Sequence, residues 1–134
     1  MPDDDLRAYS DTVIDHFQHP RNAGPLDGAN AVGEDRNPVC GDHMKLMLRI
    51  EGDTIAEAHF QTRGCPAAIA TSSMATVVLT GMRVEQAAQL KRQDFVDAVG
   101  GLPKAKIHCS VLAAAALKKA LASYAHSAAV GRSA

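Results

Sequence analysis

Three cysteines stand far apart in this 134-residue chain, and each sits in a short segment suited to binding. They are Cys40 in Pro38-Val39-Cys40-Gly41-Asp42, Cys65 in Arg63-Gly64-Cys65-Pro66, and Cys109 in Lys106-Ile107-His108-Cys109-Ser110. Two of them bring a second donor, the carboxylate of Asp42 and the imidazole of His108. Three thiolates with one weaker donor form an incomplete iron–sulfur or zinc site, because stable clusters generally take four thiolates. An odd cysteine count argues for reduced thiols and against a disulfide framework.

Each of these residues also has an ordinary reading. A lone buried cysteine is commonly a small inert hydrophobe. Asp42 could cap a turn, and His108 could sit at a helix end. His16, His19, His43, His59 and His126 belong to no partner motif and read as surface or packing residues. The spacing fits no zinc-finger template, since neither CxxC nor a paired-histidine motif is present. On the residues alone the metal stays open, and only the fold can bring the three thiols together.

The elements that must do so are legible in outline. Leu6, Tyr9, Val13 and Phe17 fall at helical spacing, with Asp3 to Asp5 at the favourable N-terminal end and Pro20 ending the helix. A Gly/Pro/Asn-rich connection follows from Arg21 to Asn37, with room for a short edge strand at Ala31 to Glu34. Met44, Leu46, Leu48 and Ile50 alternate with His43, Lys45, Met47 and Arg49, the pattern of a half-buried strand. Glu51-Gly52-Asp53-Thr54 reads as a turn and Ile55 to Thr62 as the returning strand of a hairpin. Pro66 suits a first helical position, Ala68, Ala75, Val78, Leu79 and Met82 form an apolar face, and Gly81 can cap the helix. Short helices at Val84 to Lys91 and Asp94 to Val99 precede a final helix from about His108 to Tyr124. In that helix Leu117, Leu121 and Tyr124 point inward. Residues 126–134 read as a flexible tail.

These elements predict one α+β domain over residues 1–134, a small three-stranded antiparallel sheet packed against about five helices. Cys65 falls at the N-cap of one helix and Cys109 in the first turn of another, where the helix dipole and unpaired N–H groups favour a thiolate. Apolar residues make up 46% of the chain but aromatics only 4%, so alanine must provide close helix packing. The formal net charge of −1, with no run of basic residues, gives no support to nucleic-acid or membrane-surface binding. No apolar run approaches the ~20 residues that span a bilayer. The acidic start is unlike a signal peptide, so the expected location is the cytoplasm.

Taken together, several strings in order make the chain resemble the IscU/NifU-type iron–sulfur cluster assembly scaffolds over Tyr9 to about Tyr124. They are Asp15-His16-Phe17 with Pro20-Arg21-Asn22-Ala23-Gly24, Cys40-Gly41-Asp42, Gly64-Cys65 leading into Ala68-Ile69-Ala70, Gly101-Leu102-Pro103, and Lys106 through Ala113. The resemblance implies a scaffold, not an enzyme, that assembles a transient [2Fe–2S] cluster on Cys40, Cys65 and Cys109, with Asp42 and His108 at the same site. It implies that these cysteines accept persulfide sulfur from a cysteine desulfurase, that an iron donor supplies iron, and that apo-proteins receive the cluster. Zn²⁺ or Fe²⁺ would occupy the cluster-free site. Leu102, Pro103, Lys104, Ala105 and Lys106 correspond to a segment that an Hsp70-type chaperone grips in the family. There the usual Leu-Pro-Pro-Val-Lys has lost its second proline, which adds an N–H and removes stiffness. Pro66 replaces a commonly small residue after Cys65. An alternative is a zinc-bound, SufU-type sulfur acceptor with sulfurtransferase activity. His108 and the lack of an extra stretch before Cys109 weigh against it. A small structural zinc domain is a further alternative, but it has no need of Asp42.

Overall fold

The computed structural model describes residues 9–37 and 41–133, apart from the side chains of residues 105, 108 and 125–133. The elements run α1 (Asp11–Gln18), β1 (Ala31–Arg36), β2 (His43–Glu51), β3 (Thr54–Arg63), α2 (Pro66–Leu79), α3 (Val84–Ala87), α4 (Arg92–Ala98) and α5 (His108–Ser133). The three strands form one antiparallel sheet in the order β1-β2-β3. With five helices, the expected α+β architecture is present.

One face of the sheet builds the main core. Leu46 pairs in register with Gly33 and Phe60, and Leu48 with Ala31 and Ala58. These residues, with Met44, Ile50 and Ile55, are buried against α5 and α2. A register shift at Arg49/Ile50 lets Ile55 join the same face as Ala58 and Phe60, which strict alternation would forbid. Met47 departs from the alternation expected of β2, being only 4% exposed on the opposite face. As the central-strand residue it is shielded on both sides by its register partners Val32 and His59.

Alanine packing is tightest between α5 and β1. A Cβ added at Gly33 would lie 2.1 Å from the Ala116 carbonyl oxygen and 2.4 Å from the Ala120 nitrogen. The helix backbone therefore rests directly on the strand, a distance possible only with glycine below and Ala113, Ala116 and Ala120 above. Phe95 of α4, 1% exposed, closes this core from the side.

Several boundaries and one helix face differ from the sequence expectation: β1 runs on to Arg36, α3 stops at Ala87 and α4 starts at Arg92. Ser10, extended at φ −65° and ψ 159°, caps α1 by accepting the Val13 N–H, so the described helix starts at Asp11. Asp3 to Leu6 lie outside the described residues. Helix α5 continues to Ser133, where a tail was expected from His126. Helix α2 does not carry a single apolar face: Thr71, Ser72, Ser73 and Thr76 are buried as well. Thr71, Ser72 and Thr76 each donate to a backbone carbonyl of their own helix, so these hydroxyls enter the interior already satisfied.

The hydroxyls of Ser73 and Thr76 also hold the segment from His16 to Asn22. His16 Nδ1 lies 2.8 Å from Ser73 Oγ, which also accepts the Arg21 N–H at 2.9 Å. Asn22 Nδ2 donates to Thr76 Oγ1, and Asn22 adopts φ 61°. Segment 22–24 then bonds the edge of β3 at Phe60 through two backbone hydrogen bonds. His16 is thus a packing residue, kept neutral by a pKa lowered mainly through burial. No helix among the described residues is long and apolar enough to cross a membrane.

Candidate metal centre

Cys65 is the N-cap of α2, with extended φ −73° and ψ 169° and Pro66 at the first helical position. Proline costs no hydrogen bond there and fixes the entry of the helix. Cys109 is the second residue of α5, so two helix N-termini meet at one place. Tyr9, Val13, Ala67, Ala68, Ala70 and Val99 form one buried cluster with Cys109, and Cys65 packs against it. The small alanines let the helices approach without filling the space between the thiols.

Asp42 comes from the other side, immediately before β2, and is only 7% exposed. Gly41 stands at φ +78°, a left-handed conformation that suits glycine. Two hydrogen bonds close the base of this loop, Asn37 N–H to Asp42 O and Gly41 N–H to Asn37 O, both 2.8 Å. Gly64 completes the fit, since a Cβ there would come within 2.7 Å of the Asp42 carboxylate. The sequence offered Gly64 only as part of a matching string. Its role emerges once β2 and the β3–α2 junction lie side by side.

The donor atoms converge. Cys65 Sγ and Cys109 Sγ are 3.6 Å apart, and they lie 3.8 and 3.9 Å from Asp42 Oδ2. One ligand atom from each residue falls within 4.8 Å of the other two. These separations suit donors around one metal ion or along one edge of a small cluster. Of the five site residues expected from sequence, the structure brings together Asp42, Cys65 and Cys109. Cys40 and the His108 side chain lie outside the described residues.

Proximity splits the two thiols. The hydrogen bond from Cys109 lowers the Cys65 pKa to about 6, with the Ala68 N–H and the charge of Lys106 acting in the same direction against burial and Asp42. No capping hydrogen bond closes onto Cys65, so the Ala68 N–H acts as an oriented dipole. Cys109 moves the other way, raised by its bond to Cys65 and by burial. The pair therefore loses its first proton from Cys65, and Cys109 donates its own to the resulting thiolate. The site offers one ready nucleophile beside a buried thiol that ionises when a metal replaces its proton.

The segment from Leu102 to Lys106 leads directly into this centre. Leu102 packs against the same buried cluster as Cys65, and Lys104–Lys106 form a single 3-10 turn before α5. Lys106 favours the thiolate form of both cysteines, a function the sequence did not disclose.

A two-layer α+β fold with thiols on two helix N-termini and a carboxylate between them defines a metal- or cluster-binding protein. Residues 8–130 match the NifU-like N terminal domain, and the chain belongs to that family. It is 51% identical over 116 residues to the iron–sulfur cluster assembly scaffold protein IscU 1 of Archaeoglobus fulgidus, covering 87% of this chain and 76% of that protein. It is 44% identical over 126 residues to IscU of Azotobacter vinelandii, covering 89% and 95%. The fold is shared with a solved structure from Fervidobacterium islandicum AW-1, described as an assembly scaffold for the SUF system. That comparison has a TM-score of 0.69 at 20% identity and covers 87% and 98% of the two chains.

Proposed function

We propose that this protein is a scaffold on which a [2Fe–2S] cluster is assembled from iron and desulfurase-derived sulfur, and from which it passes to apo-proteins. The observation that carries this reading is the meeting of Asp42 Oδ2, Cys65 Sγ and Cys109 Sγ within 4.8 Å. Names of relatives at 44–51% identity over most of the chain agree with it.

Cys65 is the first sulfur acceptor in this account. Its thiolate attacks the outer sulfur of a persulfide on the desulfurase, the S–S bond there breaks, and the desulfurase cysteine leaves as a thiolate. Cys65 is left as the persulfide with no net oxidation or reduction. An external electron donor of the thiol or reduced-ferredoxin class then reduces this outer sulfur to sulfide and restores the Cys65 thiolate. Cys40, Cys65 and Cys109 hold the iron, and Asp42 or His108 supplies the remaining donor. A carboxylate binds iron less firmly than a fourth thiolate, so the cluster is held incompletely and can leave.

An iron donor and recipient proteins complete the cycle. An Hsp70-type chaperone gripping Leu102, Pro103, Lys104, Ala105 and Lys106 in extended form would unwind the 3-10 turn and disturb the start of α5, where Cys109 sits. Chaperone binding and cluster release would then be one event.

The donor set also favours a second reading. Thiolates with one carboxylate or imidazole suit tetrahedral Zn²⁺ equally well, as in a sulfur acceptor of the SufU type. Anaerobic incubation with iron, cysteine and a desulfurase separates the two. A scaffold develops the absorption of a [2Fe–2S] cluster and loses it to apo-ferredoxin. Retained zinc with persulfide turnover and no cluster would replace the scaffold reading with the sulfur-acceptor one.

A further inference from the structure

The sheet face turned away from α2 and α5 carries a groove of about 900 Å³ that crosses all three strands beside the metal centre. Register places Arg36, His43 and Arg63 directly opposite one another in one row, and Glu34, Lys45 and Gln61 in the next. All six line the groove. Arg36 and Arg63 flank the imidazole of His43 in the first row, and Lys45 stands between Glu34 and Gln61 in the second.

The cations of these two rows carry no ion pair among the described residues. Arg21, Arg49 and Arg83 each meet a carboxylate, whereas Arg36, Lys45 and Arg63 have no ion pair there. Even Glu34, the register partner of Lys45, does not close onto it. The hairpin end of the same face is neutralised, with Arg49 held by Glu51 and Glu57 and His59 near Glu57. A face made only for water would intersperse its charges at both ends. At the flank of the groove, Pro20, Ala23, Phe60 and Ile69 add apolar wall to the cationic row.

We infer that this groove is a docking surface for a carboxylate-rich, partly apolar segment of a protein partner that visits the metal centre. Three fixed cations against one carboxylate supply the charge complementarity, and the apolar flank favours a peptide over a phosphate polymer. Arg63 lies two residues before Cys65 and His43 follows Asp42, so a segment seated here is anchored at the edge of the site. The inference rests on the scaffold reading only in supposing that proteins come to the centre.

Fluorescence anisotropy tests it, using a short fluorescein-labelled peptide rich in glutamate with interspersed leucines. The wild-type chain should bind the peptide, with affinity falling as salt rises. The combined variant R36A/K45A/R63A should lose roughly tenfold or more in affinity, while R83A should bind as wild type. The combined variant should keep the circular dichroism of wild type, because none of the three side chains makes an ion pair among the described residues. K45E alone, with a single surface position changed, should weaken binding in the same direction. Equal binding by wild type and the combined variant, or no binding by wild type, would overturn the proposal. So would tighter binding of a single-stranded oligouridylate than of the peptide. Reconstitution with iron and sulfide alone needs no partner and should be unchanged in R36A/K45A/R63A. If wild type forms no cluster in that experiment, the scaffold reading fails independently of the groove.

Discussion

The two buried regions of this molecule are built on different principles. Where α5 lies on the sheet, backbone touches backbone: Gly33 leaves no room beneath Ala116 and Ala120, and Leu46, Leu48 and Phe60 fill the adjoining space. Around the metal centre, small alanines support two helix N-termini, while Asp42 arrives on a loop turned by Gly41. The first region fixes the positions of strands and helices. The second leaves the donors little chain to hold them, and so fits a site that must fill and empty. Rigidity is placed one layer behind the chemistry.

The contrast is most severely tested by substituting Gly33 and Gly64, the two glycines where an added Cβ would collide with a neighbour. Gly33→Ala forces α5 away from β1 and should destabilise the fold by about 3 kcal/mol or more, measured by denaturant unfolding. Gly64→Ala should instead displace the Asp42 carboxylate, with metal affinity falling about tenfold and stability changing much less. A large stability loss at Gly64, or none at Gly33, would erase the distinction between the two regions. Between these extremes, Cys109→Ser should abolish cluster formation in a chain whose circular dichroism stays native. The smallest effect concerns protonation. Alkylation of Cys65 by iodoacetamide in metal-free protein should be half-maximal near pH 6, against ~8.5 for a free thiol.

The sign of the linked stability follows from that shift. Cys65 titrates in the fold at about 6, below its reference value of 9.0, so its contribution is full above the reference value and is lost as pH falls through 6. Cys109 is shifted upward, so above the same reference value the unfolded chain sheds a proton that the fold retains, and the gain reverses. The pair therefore favours the folded state most near the ordinary thiol pKa.

Much of this architecture is legible in the sequence because local rules decide it. The alternation of Met44, Leu46, Leu48 and Ile50 marks β2, and Cys65 before Pro66 marks a helix start. Glycines at 81, 100 and 101 stand past helix ends with positive φ, as their positions suggest. Long-range partners are less legible. The burial of Thr71, Ser72, Ser73 and Thr76 depends on carbonyls and on the His16-to-Asn22 segment that bonds them, which helical periodicity does not report. Met47 reads as an outward residue until its neighbours on β1 and β3 are known. The cationic row is invisible in the linear chain, where Arg36, Lys45 and Arg63 are scattered among other residues and only strand register assembles them. At the metal centre the sequence singled out Asp42, Cys65 and Cys109, which the structure brings together, but not the Gly64 space or the Lys106 charge beside them.

In the proposed function Asp42 is the exchangeable donor of a site whose sulfurs hold the cluster. The most direct test of this role is the half-time of cluster transfer from the reconstituted protein to apo-ferredoxin, followed by absorption for wild type and Asp42→Ala. The account predicts a cluster on both proteins and a half-time several-fold longer in the variant. Equal half-times, or faster transfer from Asp42→Ala, would contradict it.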